Sequence, residues 1–227
     1  LVAFLASYRA WVRAMVACER LAEIAVDHPA RHQLQTEAGS LLDLGHRFAW
    51  RSRRPLLLIL SGVSGSGKTT IATRLAALSG WPHLSSDLVR KRIAGISPTE
   101  RAGPERYSAE RSVETYAALG AAARREIADG GAAIVDATFD DHDKRAAFER
   151  GFGAEEVPRL WIECQAPTAV LEQRVRAREG DRERVSDAGL EVLRQQLQGR
   201  EALTADARRL NTDAPLEEIL AEIESSR

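Results

Sequence analysis

Short apolar runs alternate with longer amphipathic stretches from residue 56 onward. The runs at 56–60, 132–136 and 159–164 are rich in aliphatic residues and have the length of buried strands. Amphipathic stretches near 70–78 and 108–129 lie between the first and the second of these runs, and both stretches predict helices. This alternation predicts an α/β domain with a parallel sheet that is covered on both faces. The other predicted elements are strands at 83–85 and 208–211 and helices from 87, through 144–148, at 167–178, at 187–199 and from 215.

The first 54 residues follow a different pattern. Residues 1–27 repeat apolar side chains at a three–four spacing, which predicts a long helix with a wide apolar stripe. A second helix is predicted at 33–49, before a polar, proline-stopped linker. The stripe requires cover, either from the domain that follows or from a preceding domain. We interpret 1–54 as the end of a preceding domain and 55–227 as a separate domain. The main members of the stripe are Leu1, Phe4, Tyr8, Trp11, Met15, Cys18, Ala22 and Ala25.

Composition narrows the environment and the partners. The chain has 227 residues and a net charge of −1, which gives no general attraction to nucleic acid or to anionic membranes. No apolar run reaches transmembrane length and no signal peptide is visible, so we expect no membrane partner. Cys18 and Cys164 lie in apolar surroundings and are expected to be buried, reduced thiols of a cytoplasmic protein. Because the chain begins at Leu1 and its only methionine is Met15, its start is interpreted as that of a fragment.

Residues 62–69 read Gly-Val-Ser-Gly-Ser-Gly-Lys-Thr and fit the phosphate-binding pattern G-x-x-x-x-G-K-[ST]. We call this segment the phosphate loop. Its glycines let backbone N–H groups turn toward phosphate oxygens, Lys68 supplies positive charge, and the Thr69 hydroxyl can hold Mg²⁺. The strand before the loop and the helix after it provide the expected context. The predicted nucleotide-binding residues here are Gly62, Ser64, Gly65, Ser66, Gly67, Lys68, Thr69 and Thr70.

Two absent signals narrow the class of phosphate-loop protein. Asp136 ends a predicted strand and is followed by Ala137, Thr138 and Phe139, without the glutamate with which motors activate water. The guanine-reading pattern N-K-x-D is also absent. Both absences favour phosphoryl transfer to an acceptor other than water. Asp136 is predicted to orient Mg²⁺ through water, and its alternative role is to cap the following turn.

The acceptor side has a candidate in Asp87, which lies just after the second predicted strand. Ligands bind at the carboxyl ends of the strands in such sheets. Asp87 is predicted to take the proton of the attacking hydroxyl or to fix that hydroxyl, and the alternative is a helix N-cap. Arg90 is predicted to contact the acceptor, or else to lie on a solvated helix face.

Arginines cluster in the helix 167–178 and in the charged loop that follows it. Such a helix and loop suit a lid in which arginine clamps phosphates as charge develops. Arg174 and Arg178 share one helix face at a spacing of four residues, and Arg182 lies in the loop. We predict phosphate contacts for all three. The alternative is an ordinary surface helix with ion pairs.

The stretch from about 55 to 226 resembles bacterial P-loop kinases of the small-molecule and polynucleotide-kinase-like group. The matching pieces are GVSGSGKTT, SSDLVRK, AAIVDATF, IECQAP, LEQRVRAR and LNTDAPLEEIL. More closely, the chain resembles the C-terminal ATP-binding half of two-part bacterial proteins with an aminoglycoside phosphotransferase-like N-terminal half. This resemblance implies a P-loop NTPase three-layer sandwich with a five-stranded parallel sheet of order 2-3-1-4-5. It also implies ATP with Mg²⁺, a lid, an upstream phosphotransferase-like domain, and Asn211 beside the adenine.

Together these observations predict an ATP-dependent phosphotransferase acting on a hydroxyl of a small, sugar-like acceptor. Lys68, Asp87 and Arg178 are its predicted catalytic residues, with Thr69 and Asp136 at the metal. A polynucleotide 5′-hydroxyl kinase is the alternative within this class, and the neutral net charge and the lack of a basic run disfavour it. An ATP-binding regulatory module with little turnover, signalling through the 1–50 helices, is the alternative from another class.

Overall fold

The computed structural model describes residues 1–54, 56–97, 100, 108–128, 131–154, 156–178, 188–203 and 206–225. The chain forms two compact units. The first unit comprises residues 1–54 and 76–80, and the second comprises residues 55–75 and 81–227. No helix within the described ranges combines the length and hydrophobicity needed to cross a membrane.

The first unit contains two long helices, α1 (Val2–Glu23) and α2 (Arg31–Arg51), which pack against each other. The buried face of α1 consists of small residues, namely Ser7, Ala10, Ala14 and Ala17. Ser7 Oγ donates a hydrogen bond of 2.9 Å to the Gly45 carbonyl oxygen, and Trp11 Nε1 donates one of 3.2 Å to Ser7 Oγ. A Cβ added to Gly45 would lie 3.0 Å from the Trp11 indole nitrogen, so the two helices meet closely here.

The large apolar side chains of α1 lie outside this contact. Phe4 and Tyr8 are each 62% exposed, and Met15 is 56% exposed. Small side chains let α1 pack closely on α2, and the large members of the apolar stripe take no part in that contact. Cover of the stripe by a preceding domain stays a prediction. Cys18 is also exposed, which corrects its predicted burial.

The second unit is built on a parallel five-stranded sheet of order β2-β3-β1-β4-β5. The strands are β1 (Leu56–Ser61), β2 (His83–Ser85), β3 (Ala132–Ala137), β4 (Arg159–Gln165) and β5 (Arg208–Asn211). The helices are α3 (Lys68–Ser79), of which residues 76–79 fall in the first unit, α4 (Ser86–Ile93), α5 (Ala109–Ile127), α6 (His142–Phe152), α7 (Thr168–Ala177), α8 (Leu190–Gln198) and α9 (Leu216–Ser225). The predicted α/β class and strand order are confirmed. In this order β2, β3, β1 and β4 end side by side, which brings the residues that follow them to one edge.

The core of the second unit lies mainly between the sheet and the pair α5–α6. Leu57 and Ile59 of β1 and Val135 of β3 are fully buried in this cluster. The two helices approach closely at Gly120 of α5 and Gly151 of α6. A Cβ on Gly120 would collide with the Phe148 carbonyl oxygen, and one on Gly151 would collide with the Ala117 carbonyl oxygen. Glycine is therefore required at both positions for this spacing of the helices.

Candidate functional site

The phosphate loop connects β1 to α3 and packs tightly against the backbone of β4 and α7. Gly62, Gly65 and Gly67 have φ angles of +152°, +80° and +84°, which side-chain-bearing residues rarely adopt. A Cβ on Gly62 would lie 2.7 Å from the Cys164 carbonyl oxygen, and one on Gly65 would lie 2.8 Å from the Leu171 carbonyl oxygen. The sequence therefore enforces the backbone curl that turns N–H groups toward a phosphate.

A cavity of about 290 Å³ opens beside the phosphate loop, where β2 and β3 end. We call it the β2–β3 cavity. Four residues predicted from separate parts of the sequence line it together: Lys68, Asp87, Arg90 and Asp136. The predicted loop residue Ser64 lines it as well. The other lining residues are Ser85, Ser86, Ser112, Tyr116, Thr138, Asp140, Lys144, Ala188, Val192, Gln195 and Gln196.

Asp136 is the second-last residue of β3 and is buried. Its Oδ2 lies 3.3 Å from Nε2 of His83, which belongs to the neighbouring strand β2. Its Oδ1 is buried and has no hydrogen-bond partner among the described residues. Asp136 therefore does not cap the following turn. An unpartnered buried carboxylate oxygen fits a role as an outer ligand of a cation.

Asp87 lies inside the first turn of α4, whose N-cap is Ser85, so the alternative that Asp87 caps the helix is wrong. Arg90 Nη1 donates a hydrogen bond of 2.8 Å to Asp87 Oδ1. The side chain of Arg90 is 11% exposed and that of Asp87 is 28% exposed. Arg90 is thus not on a solvated face, and it holds the Asp87 carboxylate at the cavity wall.

The turn after β3 supplies two cavity residues, Thr138 and Asp140, of which the motifs did not identify Asp140. Phe139 has a φ of +50°, a conformation that is costly for an aromatic residue and is often found at functional sites. Its ring packs edge-on against Tyr116 and Phe148, and its N–H donates a hydrogen bond of 3.4 Å to the Tyr116 hydroxyl. These contacts fix the turn so that Thr138 and Asp140, on either side of Phe139, reach the cavity.

Lys144 forms ion pairs on this side of the cavity. Its Nζ lies 2.6 Å from Asp140 Oδ1 and 2.7 Å from Asp141 Oδ2. Burial acts to lower the pKa of Lys144, but its interactions with Tyr116, Asp140 and Asp141 prevail and raise it. Burial raises the pKa of Tyr116, so its phenol remains a hydrogen-bond donor at neutral pH. Lys144 is therefore charged, with its charge balanced by Asp140 and Asp141. Tyr116 is an uncharged hydrogen-bond donor.

A second cavity, of about 210 Å³, opens on the other side of the phosphate loop. We call it the β5–α9 cavity. Arg174, Arg178, Gly67 and Thr70 line it, together with Thr212 from the turn after β5. Its apolar wall consists of Ile71, Ala214, Leu216 and Ile219. A pocket with one apolar wall and a phosphate-binding edge suits a flat base attached to phosphates.

Arg174 links the two segments that border this cavity. Its Nη2 donates a hydrogen bond of 2.8 Å to the Thr212 carbonyl oxygen, and its Nη1 donates one of 3.4 Å to the Gly65 carbonyl oxygen. Arg178 lies exposed at the end of α7. Asn211 is not among the residues that line the cavity, and its Oδ1 accepts a hydrogen bond of 3.1 Å from the Asp213 N–H. Thr69 is exposed in the first turn of α3. Arg182 and the loop 179–186 lie outside the described residues.

A larger cavity, of about 600 Å³, lies beside β4 and β5, away from the phosphate loop. Its main charged groups already form ion pairs. Glu163 contacts Arg200 and lies 3.6 Å from Arg209, and Glu201 lies 2.8 Å from Arg145. Neither the phosphate loop nor Asp87 or Asp136 lines this space, so we place the functional site at the two smaller cavities.

Comparisons with known proteins identify the family of the chain. A family model described as "AAA domain" matches residues 57–203, which is more than half of the chain. Among curated proteins, the uncharacterized protein Rv2004c of Mycobacterium tuberculosis is 28% identical over 218 residues. The match covers 94% of this chain and 42% of that protein. Protein Mb2027c of Mycobacterium bovis matches with the same values. The chain thus spans less than half the length of these relatives.

Solved structures share the fold. A sugar kinase from Janibacter has a TM-score of 0.53 at 23% identity, and the match covers 74% of this chain and 91% of that one. A gluconokinase from Sinorhizobium meliloti has a TM-score of 0.50 at 21% identity, with 75% and 90% covered. The APS kinase of Mycobacterium tuberculosis has a TM-score of 0.51 at 20% identity, with 75% and 95% covered.

Proposed function

Because the chain belongs to the AAA domain family, we propose that it is an ATP-dependent phosphotransferase. It moves the γ-phosphoryl group to a hydroxyl of a small, sugar-like acceptor in the cytoplasm. One observation carries this proposal: Lys68, Asp87 and Asp136 line a single cavity of about 290 Å³ at the phosphate loop. The named sugar kinase and gluconokinase with the same fold are consistent with an acceptor of this size.

In this proposal the nucleotide lies across both sides of the phosphate loop. The base occupies the β5–α9 cavity, against Ile71 and Leu216. The loop N–H groups and Lys68 hold the phosphates, and Arg178 reaches them from the end of α7. The γ-phosphate then projects into the β2–β3 cavity, which Lys68 and Ser64 both line.

The acceptor occupies the rest of the β2–β3 cavity. Asp87, held by Arg90, accepts the hydrogen bond of the attacking hydroxyl and takes its proton. The acceptor oxygen forms a bond to the γ-phosphorus as the bond from that phosphorus to the β–γ bridging oxygen breaks, and ADP leaves. Lys68 stabilises the charge that develops on the transferred group.

The residues present also fit a magnesium ion. Mg²⁺ is usually held by one or two protein oxygens together with substrate phosphates and water. Thr69, in the first turn of α3, would bind it directly, and the unpartnered Oδ1 of Asp136 would accept a hydrogen bond from its water. When bound, the ion neutralises charge on the β and γ phosphates.

The direct test is a screen for the acceptor. The protein is incubated with ATP, Mg²⁺ and a bacterial metabolite extract, and mass spectrometry identifies any compound that gains one phosphoryl group. Lys68→Ala is the matched control, since it removes the loop charge from a preformed site. Transfer by the wild type and not by the variant supports the proposal. ATP binding without transfer to any acceptor would contradict it.

The exposed face of α1 favours a second role, as an ATP-binding module that communicates with a further domain. Phe4, Tyr8 and Met15 are more than half exposed, and large apolar patches usually mark interaction surfaces. The relatives are more than twice as long as the matched region. We propose that the occupant of this face is an additional domain of a longer polypeptide, such as the phosphotransferase-like half implied by the resemblance.

The α1 face is tested by crosslinking in a longer polypeptide that contains this chain. A photoreactive residue at position 8 is expected to crosslink within that polypeptide to the additional domain. The same residue at position 37 of α2 serves as the control. Crosslinks only between separate molecules would instead indicate a dimer through α1 and would overturn this assignment.

A further inference from the structure

One hydrogen bond joins the phosphate loop to a helix far along the chain. The backbone N–H of Ser64 donates to Oε1 of Gln196 on α8, at 2.8 Å and across 132 residues of sequence. Ser64 is buried, Gln196 is half-buried, and both line the β2–β3 cavity with Lys68 and Asp87. The Ser64 N–H of the phosphate loop is thus already hydrogen-bonded to a neutral side chain.

Packing holds Gln196 in this place. Leu193 lies one turn earlier on α8, on the same face of the helix. It is fully buried in a cluster with Val63 of the phosphate loop and with Leu171 and Val175 of α7. Successive positions of one α8 face therefore contact successive residues of the loop: Leu193 packs near Val63, and Gln196 bonds to Ser64. The position of the Gln196 amide is built into the fold.

The second half of the amide remains available. A glutamine side chain has one acceptor oxygen and an NH₂ group with two donors. The oxygen is bonded to Ser64, and among the described residues the NH₂ group has no hydrogen-bond partner. Since Oε1 is bonded to the loop and Gln196 lines the β2–β3 cavity, the NH₂ group is the part of the amide left to serve a ligand there. It is a neutral donor beside the proposed position of the γ-phosphate.

We propose that Gln196 binds the γ-phosphoryl group, with Oε1 anchored on Ser64 and the NH₂ group donating to a γ-phosphate oxygen. This inference rests on the proposed function, since it requires ATP on the phosphate loop. Through this contact, α8 would distinguish ATP from ADP. ADP, which lacks that group, gains nothing from Gln196.

The test compares ATP and ADP binding by isothermal titration calorimetry with Mg²⁺ present. Gln196→Glu keeps an oxygen for Ser64 but replaces the NH₂ donors with a negative charge. A hydrogen bond to a charged group corresponds to about a 10-fold change in affinity or more. We expect ATP affinity to fall by at least about that factor and ADP affinity to stay within about 3-fold. Gln196→Met removes oxygen and donors together and should also weaken ATP more than ADP.

Gln195→Glu is the matched control, because Gln195 lines the same cavity from the same helix but makes no bond to the loop. It should change the ratio of ATP to ADP affinity much less than Gln196→Glu. An unchanged ratio in both Gln196 variants would overturn the inference. Tighter ATP binding in Gln196→Met would also overturn it, since the amide would then be blocking the site. A wild type that binds neither nucleotide would instead refute the proposed function.

Discussion

Replacing Asp87 with asparagine separates its proposed chemistry from its structural role. The change keeps the size of the side chain and leaves an oxygen for the Arg90 hydrogen bond, but it removes the negative charge. General bases contribute about 10²–10⁴-fold to a rate, so we expect transfer to fall by about 100-fold or more. ATP affinity should stay within a few-fold, because Asp87 lines the β2–β3 cavity and not the β5–α9 cavity.

The structure also sets the expected cost in stability. A negative charge in the first turn of α4 interacts favourably with the helix dipole, by about 0.3–1 kcal/mol. The Asp87–Arg90 pair is partly solvated, so its loss adds up to about 1 kcal/mol. The total, at most about 2 kcal/mol, is well below the typical stability of a domain, about 5–15 kcal/mol. The variant should therefore remain folded.

Three measurements on the same sample decide the outcome: urea unfolding, calorimetric ATP binding, and transfer to the acceptor identified by the screen. Asp143→Asn is the matched control, because Asp143 lies in the first turn of α6 with a side chain that is 90% exposed. It loses a similar helix interaction, and its side chain lines neither cavity. If Asp87→Asn transfers as fast as this control, Asp87 is not the base. If ATP affinity and transfer fall together, Asp87 acts on the nucleotide.

Three further predictions concern other residues. Lys68→Ala should lower transfer by about 10²–10³-fold and weaken ATP binding while the protein stays folded, and unchanged transfer would exclude the kinase assignment. Asp141→Asn keeps a helix cap but loses the Lys144 pair. Burial acts to raise the pKa of Asp141, but the hydrogen bonds and the charge of Lys144 prevail and lower it. The wild type should therefore be more stable than the variant at neutral pH. Urea titrations should show that advantage shrinking as pH falls below about 4, and a constant difference would contradict it. Burial raises the pKa of Cys164 to about 12, so iodoacetamide at pH 8 should label exposed Cys18 and spare Cys164 until unfolding.

The fold was predictable because each of its signals is local. The apolar run of β1 and the phosphate loop lie within a few residues of each other, and parallel topology brings Asp87 and Asp136 to the same edge. Capping was less predictable, because Ser85 and Asp87 are both good cap residues and only the backbone shows that Ser85 is the cap.

Contacts distant in sequence could not be predicted. The spacing of apolar residues showed that α1 is amphipathic but not that its small face packs on α2, where Gly45 allows the close approach. The Gln196–Ser64 bond joins residues 132 positions apart, and a glutamine on a helix has no motif. The Asp136–His83 contact depends on the pairing of β2 with β3.

The glycine contact between α5 and α6 has a consequence for how substrate preference could evolve. Tyr116 lies one turn before Gly120 on α5, and Lys144 lies two turns before Gly151 on α6. Both side chains line the β2–β3 cavity, so the spacing of α5 and α6 affects the distance between these two parts of the cavity wall. A small residue in place of either glycine would force the helices apart and move two walls at once. Selection for a new acceptor should therefore recover changes at Gly120 or Gly151, positions that do not themselves line the cavity.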